Sequence, residues 1–380
     1  MPADSVTSSD LFNRHITFFS LDTCIVQSEG YRFDQGALAK LPVVLTQPMK
    51  LILSAVVAGE IEKHRVEGVE GRANSALKAL GSLSHISPEL RDISESFKSI
   101  DVEGLERQRA QEEIADFVSK CGQGEILPVG SSGLLSKVFE RYFSSAPPFS
   151  KVGKKKHEFP DAVALLSLEA YAERGDSSGL LISNDQDWIR YASSSARLYC
   201  LPSLDELLGL FEATTKFADE AKRDLVSELS DPRSPLGRQL ENAVMLHFDQ
   251  SYWNVDAVYG AFPRLEVDVD ETSLHDLSVD SSSVRIWDSD EDSGQWIAKV
   301  DVSTHVDLQV KARAFFWDST DREEFELGRV TQTVEVHEVV PVFVTVGKAS
   351  LEGSPDTWTT TIDIAPSSYE VPGFEVDLSE

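Results

Sequence analysis

Cysteine is scarce in this 380-residue chain: Cys24, Cys121 and Cys200 stand far apart, with no Cys-x-x-Cys and no neighbouring His pair. Neither a disulfide framework nor a structural zinc site is indicated, and three isolated thiols suit a reducing cytoplasm. Basic charge is scarce as well. With 35 Lys+Arg against 64 Asp+Glu, the formal net charge is −29. A broad basic face coating a nucleic-acid duplex is therefore excluded, and any nucleic-acid contact has to be local. Long apolar runs are missing: the longest, about Leu51 to Ala58, is far short of a bilayer span. Met1 to Asp10 is polar and acidic without an apolar stretch behind a basic start, so neither export nor membrane insertion is expected. The chain also has no Gly-x-x-x-x-Gly-Lys-Ser/Thr loop, no Gly-x-Ser-x-Gly elbow and no repeat of fixed period.

What is present is enough apolar material, 41% of residues, for real cores. The charge is unevenly spread: residues 1–200 carry 27 acidic and 22 basic side chains, residues 201–380 carry 37 and 13. That asymmetry points to two domains, expected at 1–214 and 215–380. In the first, short apolar runs at Ile16–Ser20, Leu51–Leu53, Gly179–Ser183 and Arg197–Leu201 alternate with helical periodicity at Ala55–His64, Asp161–Tyr171, around Trp188 and Tyr191, and at Ser203–Ala213. Continuous apolar strands alternating with helices predict an α/β unit, a parallel sheet covered on both faces. The stretch at about 85–147 is expected to be a helical insertion, and 144–156 a loop ending in the basic run Lys154-Lys155-Lys156-His157. In the second domain, helices at 216–229 and 235–248 precede strand-like alternation at 264–269, 283–287, 296–302, 306–317, 324–346 (two strands, divided near Pro341) and 357–364. This predicts a β-rich α+β domain built on an antiparallel sheet or small barrel. Glu266, Asp268 and Asp270 alternate with Leu265, Val267 and Val269, which puts the acids on one exposed strand face.

The chemistry candidates are Asp22, Glu60, Asp161 and Asp185, with Asp187 as a fifth acid. Asp22 and Asp185 follow apolar strands; Glu60 and Asp161 lie near helix starts. In a parallel α/β unit all would collect at the carboxyl edge of the sheet. Gathered carboxylates raise one another's pKa unless divalent cations neutralise them, and oxygen donors in this number suit Mg²⁺ or Mn²⁺. Such ions lower the pKa of a bound water and stabilise the leaving oxygen of a phosphodiester. Taken singly, each acid is equally well read as a helix cap or first-turn residue. The run Asp288-Ser-Asp290-Glu-Asp292 imitates a calcium loop but has Ser293 where Gly is needed and Lys299 in place of the closing Glu, so it reads as a solvated hairpin loop. Asp22-Thr23-Cys24 lacks the second Asp of aspartyl-phosphate phosphatases.

Four segments carry a family likeness: Phe18-Phe-Ser-Leu-Asp22-Thr23, Leu53-Ser-Ala-Val-Val-Ala-Gly-Glu60-Ile-Glu62, Glu158-Phe-Pro-Asp161-Ala and Leu181-Ile-Ser183-Asn-Asp185-Gln-Asp187-Trp. Over about residues 14–213 the chain resembles the PIN-domain metallonucleases. The resemblance implies a PIN-like parallel sheet sandwiched by helices and an acidic pocket for Mg²⁺ or Mn²⁺. It also implies endoribonuclease activity on single-stranded RNA. Asp22, Glu60, Asp161 and Asp185 match the family's acidic quartet, Asp187 an acid present in many members, and Ser183 the small hydroxyl residue before the fourth acid. The second motif lacks its usual Pro, which leaves Glu62 as a rival for Glu60. Thr23 and Ser183 are further candidates for substrate contact, as are Lys154, Lys155 and Lys156, whose loop would rim the pocket if Asp161 lies in it; Lys63, His64, Arg65 and Arg72 could extend that rim or simply pair with Glu62 and Glu67. The competing readings are a non-catalytic PIN-like interaction protein whose acidic second domain recruits a protein partner, and a flap-type nuclease acting on structured DNA. A homodimer is compatible with the sequence. The expected compartment is the cytoplasm, with no membrane contact.

Overall fold

The computed structural model describes residues 6–45, 49–83, 88–130, 133–149, 158–258, 264–288, 295–318, 323–347, 351 and 353–375. The chain divides into two compact units, Met1–Phe211 and Glu212–Glu380. The expected loop segment Lys154–His157 and the calcium-like run from residue 289 to 294 lie outside the described residues. Among the described residues, no helix is long and apolar enough to cross a membrane.

The first unit runs α1 (Ser8–Asn13), β1 (Ile16–Leu21), α2 (Thr23–Ser28), α3 (Gly36–Val44), β2 (Lys50–Ser54), α4 (Ala55–Leu83), α5 (Pro88–Lys98), α6 (Val102–Lys120), β3 (Glu125–Leu127), α7 (Leu134–Ser144), α8 (Phe159–Arg174), β4 (Ser178–Ile182), α9 (Gln186–Ser194), β5 (Leu198–Leu201) and α10 (Leu204–Gly209). The five strands form one parallel sheet in the order β3-β2-β1-β4-β5. Buried on both faces, its central strands are almost uninterrupted apolar sequence: Phe18, Phe19, Leu21, Leu51, Ile52, Leu180, Leu181 and Ile182 are all fully inaccessible. Strand order reverses direction between β1 and β4, the position where an open α/β sheet leaves a crevice at the strand carboxyl ends. Gly179 allows this close pairing, because a Cβ there would sit 2.2 Å from the Phe18 ring. The stretch 85–147 is not wholly helical: Glu125–Leu127 is the edge strand β3, paired with β2. Only three residues long and opened by a charged one, it carries no alternation that could reveal it from sequence.

The second unit contains α11 (Lys216–Ser230), α12 (Pro235–Gln250), β6 (Tyr252–Val258), β7 (Arg264–Val279), β8 (Arg285–Asp288), β9 (Gln295–Asp318), β10 (Glu323–Gly347), β11 (Thr359–Asp363) and β12 (Ser368–Glu375). An antiparallel sheet in the order β11-β10-β9-β7, with β8 also on β9, is joined by a separate parallel pair β12-β6. It is an α+β unit built on an open sheet. Leu225, Leu229, Leu240, Val244 and Phe248 of the two helices share one core with Val302, Val306, Leu308, Val310, Val340, Val342 and Val344 of the sheet. Two breaks expected from the sequence are absent. The polar step Ser303-Thr304-His305 is spanned by β9, with Thr304 buried and its hydroxyl donating to the Glu338 carbonyl at 3.0 Å. Pro341 stays within β10 because β11 pairs with that strand only over 343–347, so a residue without an N–H is tolerated before the pairing begins. A bulge between Val269 and Glu271 interrupts the acid alternation of β7, leaving Asp270 out of register with β9.

Candidate active site

The end of β1 delivers Asp22, and its backbone N–H donates to the Ile182 carbonyl at 3.0 Å, which ties it to the end of β4. Asp22 occupies the N-cap position of α2 yet makes no side-chain capping bond. Its carboxylate turns into the crevice, where Oδ2 accepts from the Ser183 hydroxyl at 2.5 Å and from the Cys24 thiol at 3.0 Å. Ser183 is completely buried, and its Oγ also accepts the Asp185 backbone N–H at 3.0 Å. One hydroxyl thus joins the first and fourth acidic segments.

Glu60 projects from the second turn of α4, half-buried, and its Oε2 accepts from the Thr23 hydroxyl at 2.8 Å. Glu62 faces elsewhere: it accepts from Gln111 at 2.9 Å and lies 3.9 Å from Arg107, both on α6. Two residues on a helix are about 200° apart, so these glutamates cannot both face the crevice. Asp161 stands in the first turn of α8 and accepts the Trp188 indole N–H at 2.9 Å. Asp185 is exposed and caps α9 by accepting the Asp187 N–H at 2.6 Å. The ordinary helix-cap role is therefore filled by Asp185. Asp187 pairs with Arg190.

The electrostatics show that the acids share one region. Burial pushes the Asp161 carboxyl up to about 6; the charges of Asp22, Glu60 and Asp185 push the same way, and the Trp188 N–H opposes them. Burial also raises Asp22, against the hydrogen bonds from Ser183 and Cys24, with a further upward push from Asp185. Cys24 is raised to about 11, by burial and by Asp22, so it is a thiol donor rather than a nucleophile. Clustered carboxylate oxygens of this kind fit a hard divalent cation. Among the described residues, the set of three ligand atoms within 4.8 Å of one another is not drawn from this quartet.

The expected basic rim is only partly in view. Lys63 and His64 lie 3.7 and 3.5 Å from Glu67. Arg65 is clamped by Glu106 and Glu113 of α6 at 2.7 and 2.6 Å, so its charge holds α4 to α6. Arg72 is exposed. Two contributors escaped sequence reasoning. Trp188 is 1% exposed, and a buried indole needs a partner for its N–H, which is the signal that could have assigned it to an acid. Cys24, beside Asp22 in sequence, reveals its role only through the turn into α2.

Residues 20–188 match a family model described as a PIN domain. The first unit contains a PIN domain. The match begins inside β1, takes in all five candidate acids and ends at Trp188, so it is narrower than the expected 14–213 and leaves the second unit unmatched. No curated protein and no solved structure matches the chain. PIN domains are generally nucleases, typically use divalent metals and commonly bind RNA.

Proposed function

We propose that the chain is a Mg²⁺- or Mn²⁺-dependent endoribonuclease that hydrolyses single-stranded RNA at Asp22, Glu60, Asp161 and Asp185. The observation carrying this reading is the electrostatic coupling of Asp161 to Asp22 and Asp185, which follow β1 and β4, and to Glu60 of α4, inside a PIN domain. A divalent cation held there would neutralise the carboxylates and polarise both the phosphodiester and the attacking water. The chain's own groups prepare the site. Ser183 and Cys24 hold Asp22 through Oδ2. Thr23 fixes Glu60, and Trp188 fixes Asp161. Asp187, paired with Arg190, is assigned the role of an outer ligand in this scheme. Thr23 and Ser183 act as positioning residues in this scheme, and substrate phosphates fall to Lys154, Lys155 and Lys156. The free thiols Cys24, Cys121 and Cys200 are compatible with a cytoplasmic setting.

The test is cleavage of end-labelled single-stranded RNA by the purified full chain. Activity should appear with Mn²⁺ or Mg²⁺, vanish with chelator and be lost in Asp22→Asn and Asp161→Asn. Cleavage surviving both substitutions refutes the site. Binding of RNA without cleavage under every metal condition would turn the assignment to a non-catalytic PIN-like module. Preference for a flapped DNA duplex would turn it to a structure-specific nuclease.

A further inference from the structure

We propose that His305, Asp307 and Glu335 form a binding site for a zinc-class divalent cation on the solvent face of the second unit's sheet. Among the described residues, these are the three His, Cys, Asp or Glu side chains whose ligand atoms lie within 4.8 Å of one another. The face follows from strand alternation. Val302, Thr304, Val306 and Leu308 of β9 turn into the core, so His305 and Asp307 turn outward. On β10, Val336 and Val340 turn inward, and Glu335 and His337 outward.

Antiparallel register then sets like against like. His337 lies opposite His305, and Glu335 lies opposite Asp307. Two facing carboxylates on a sheet are destabilising unless something positive lies between them. The register neighbour of Asp307 on β7 is Ser273, which brings no charge. A second bulge, between Leu274 and Asp276, places the His275 ring 5.0 Å from that of His305, and the His337 ring lies 4.4 Å away on the other side. Three imidazoles and two carboxylates thus gather on one patch.

The decisive atom is His305 Nε2. It is shielded from solvent and has no hydrogen-bond partner among the described residues. Glu335 Oε2 lies 3.6 Å from it and Asp307 Oδ1 4.0 Å, both too long for a hydrogen bond. Donors bound tetrahedrally at zinc–nitrogen and zinc–oxygen lengths lie about 3.4 Å apart. Small side-chain adjustments would therefore close all three donors on one ion, with His337 or His275 near enough to supply a fourth. Mixed imidazole and carboxylate donors favour zinc over Mg²⁺ or Ca²⁺. The site belongs to the second unit alone and does not depend on the nuclease reading.

The experiment is equilibrium dialysis and thermal melting of the chelator-stripped full chain with Zn²⁺. One zinc ion should be retained in the presence of excess Mg²⁺, and the melting midpoint should rise with added zinc. Both should persist in the Asp22→Asn/Asp161→Asn double variant, which separates this site from the acidic quartet. Zinc affinity should fall about tenfold or more in His305→Gln and in Glu335→Gln. Glu335 is exposed, so the second variant remains informative if the first folds poorly. Failure of the wild-type chain to retain zinc, or equal zinc affinity in the wild type and Glu335→Gln, would overturn the proposal.

Discussion

The two units treat acidic side chains in opposite ways. In the PIN unit, acids far apart in sequence arrive at the ends of parallel strands, where burial and mutual repulsion raise Asp22 and Asp161. In the second unit most sheet acids lie on an open face near water or a cation, as Glu266 and Asp268 do in flanking Arg313 at 3.0 and 3.5 Å; Asp307 and Glu335, set opposite each other, are an exception. The first arrangement is costly without a ligand; the second costs little and blunts the sheet against edge-to-edge association. The same residue types thus signal chemistry in one place and solvation in the other, and topology makes the difference.

The largest effect that would break this comparison is on activity. Asp22→Asn should reduce metal-dependent RNA cleavage by about 100-fold or more while leaving far-ultraviolet circular dichroism unchanged. Asp268→Asn should leave cleavage as it was; equal losses would erase the distinction between the two regions. Next in size is the strand spacing that brings the first acids together. Gly179→Ala has to displace the Phe18 ring between β1 and β4 and should cost about 1–3 kcal/mol in denaturant unfolding. It should also lower cleavage, because Asp22 and Ser183 end those two strands.

A third prediction concerns pH. Burial holds the folded Asp161 carboxyl at about 6, above its ordinary 3.8. The folded state therefore binds more protons between those values, so its stability falls as pH rises from about 4 to about 6 and stays lower above that. Asp161→Asn should remove this dependence and stabilise the metal-free chain near pH 7 by on the order of 2 kcal/mol. Mn²⁺ should reduce the advantage of the variant. A stability curve unaltered by the substitution would place Asp161 outside a shared acidic field. The smallest effect is expected on the sheet, where Arg313→Ala, breaking half-exposed pairs with Glu266 and Asp268, should cost about 0.2–1 kcal/mol in the same assay.

Much of the PIN unit is legible because its strands are short, apolar and bounded by acids. Ile16–Leu21 and Ser178–Ile182 announce themselves, and each is followed within a few residues by a candidate site carboxylate, Asp22 and Asp185. Glu60 and Glu62 cannot be separated by pattern, since both fit the second motif; the packing of α6 against α4 separates them. β3 is hidden by its length, and Trp188 by the ambiguity of an indole that serves equally as core and as donor. In the second unit the two long strands were expected in pieces. A polar step and a proline are local stop signals, overridden by hydrogen bonding along β9 and β10. The parallel pairing of β6 with β12 joins distant segments and leaves no local trace.

By itself the sequence determined the alternation of apolar strand and helix, the identity of the acids at the strand ends and the acidity of the second half, because each is written in neighbouring residues. Only the tertiary structure decided which acids meet and which merely face water. Crossover connections carry Asp22, Glu60, Asp161 and Asp185 to one sheet edge, and antiparallel register sets Glu335 beside Asp307 and His305. Both depend on contacts between segments remote in sequence, whose free energy comes from burying the apolar faces beneath them rather than from the charged groups themselves.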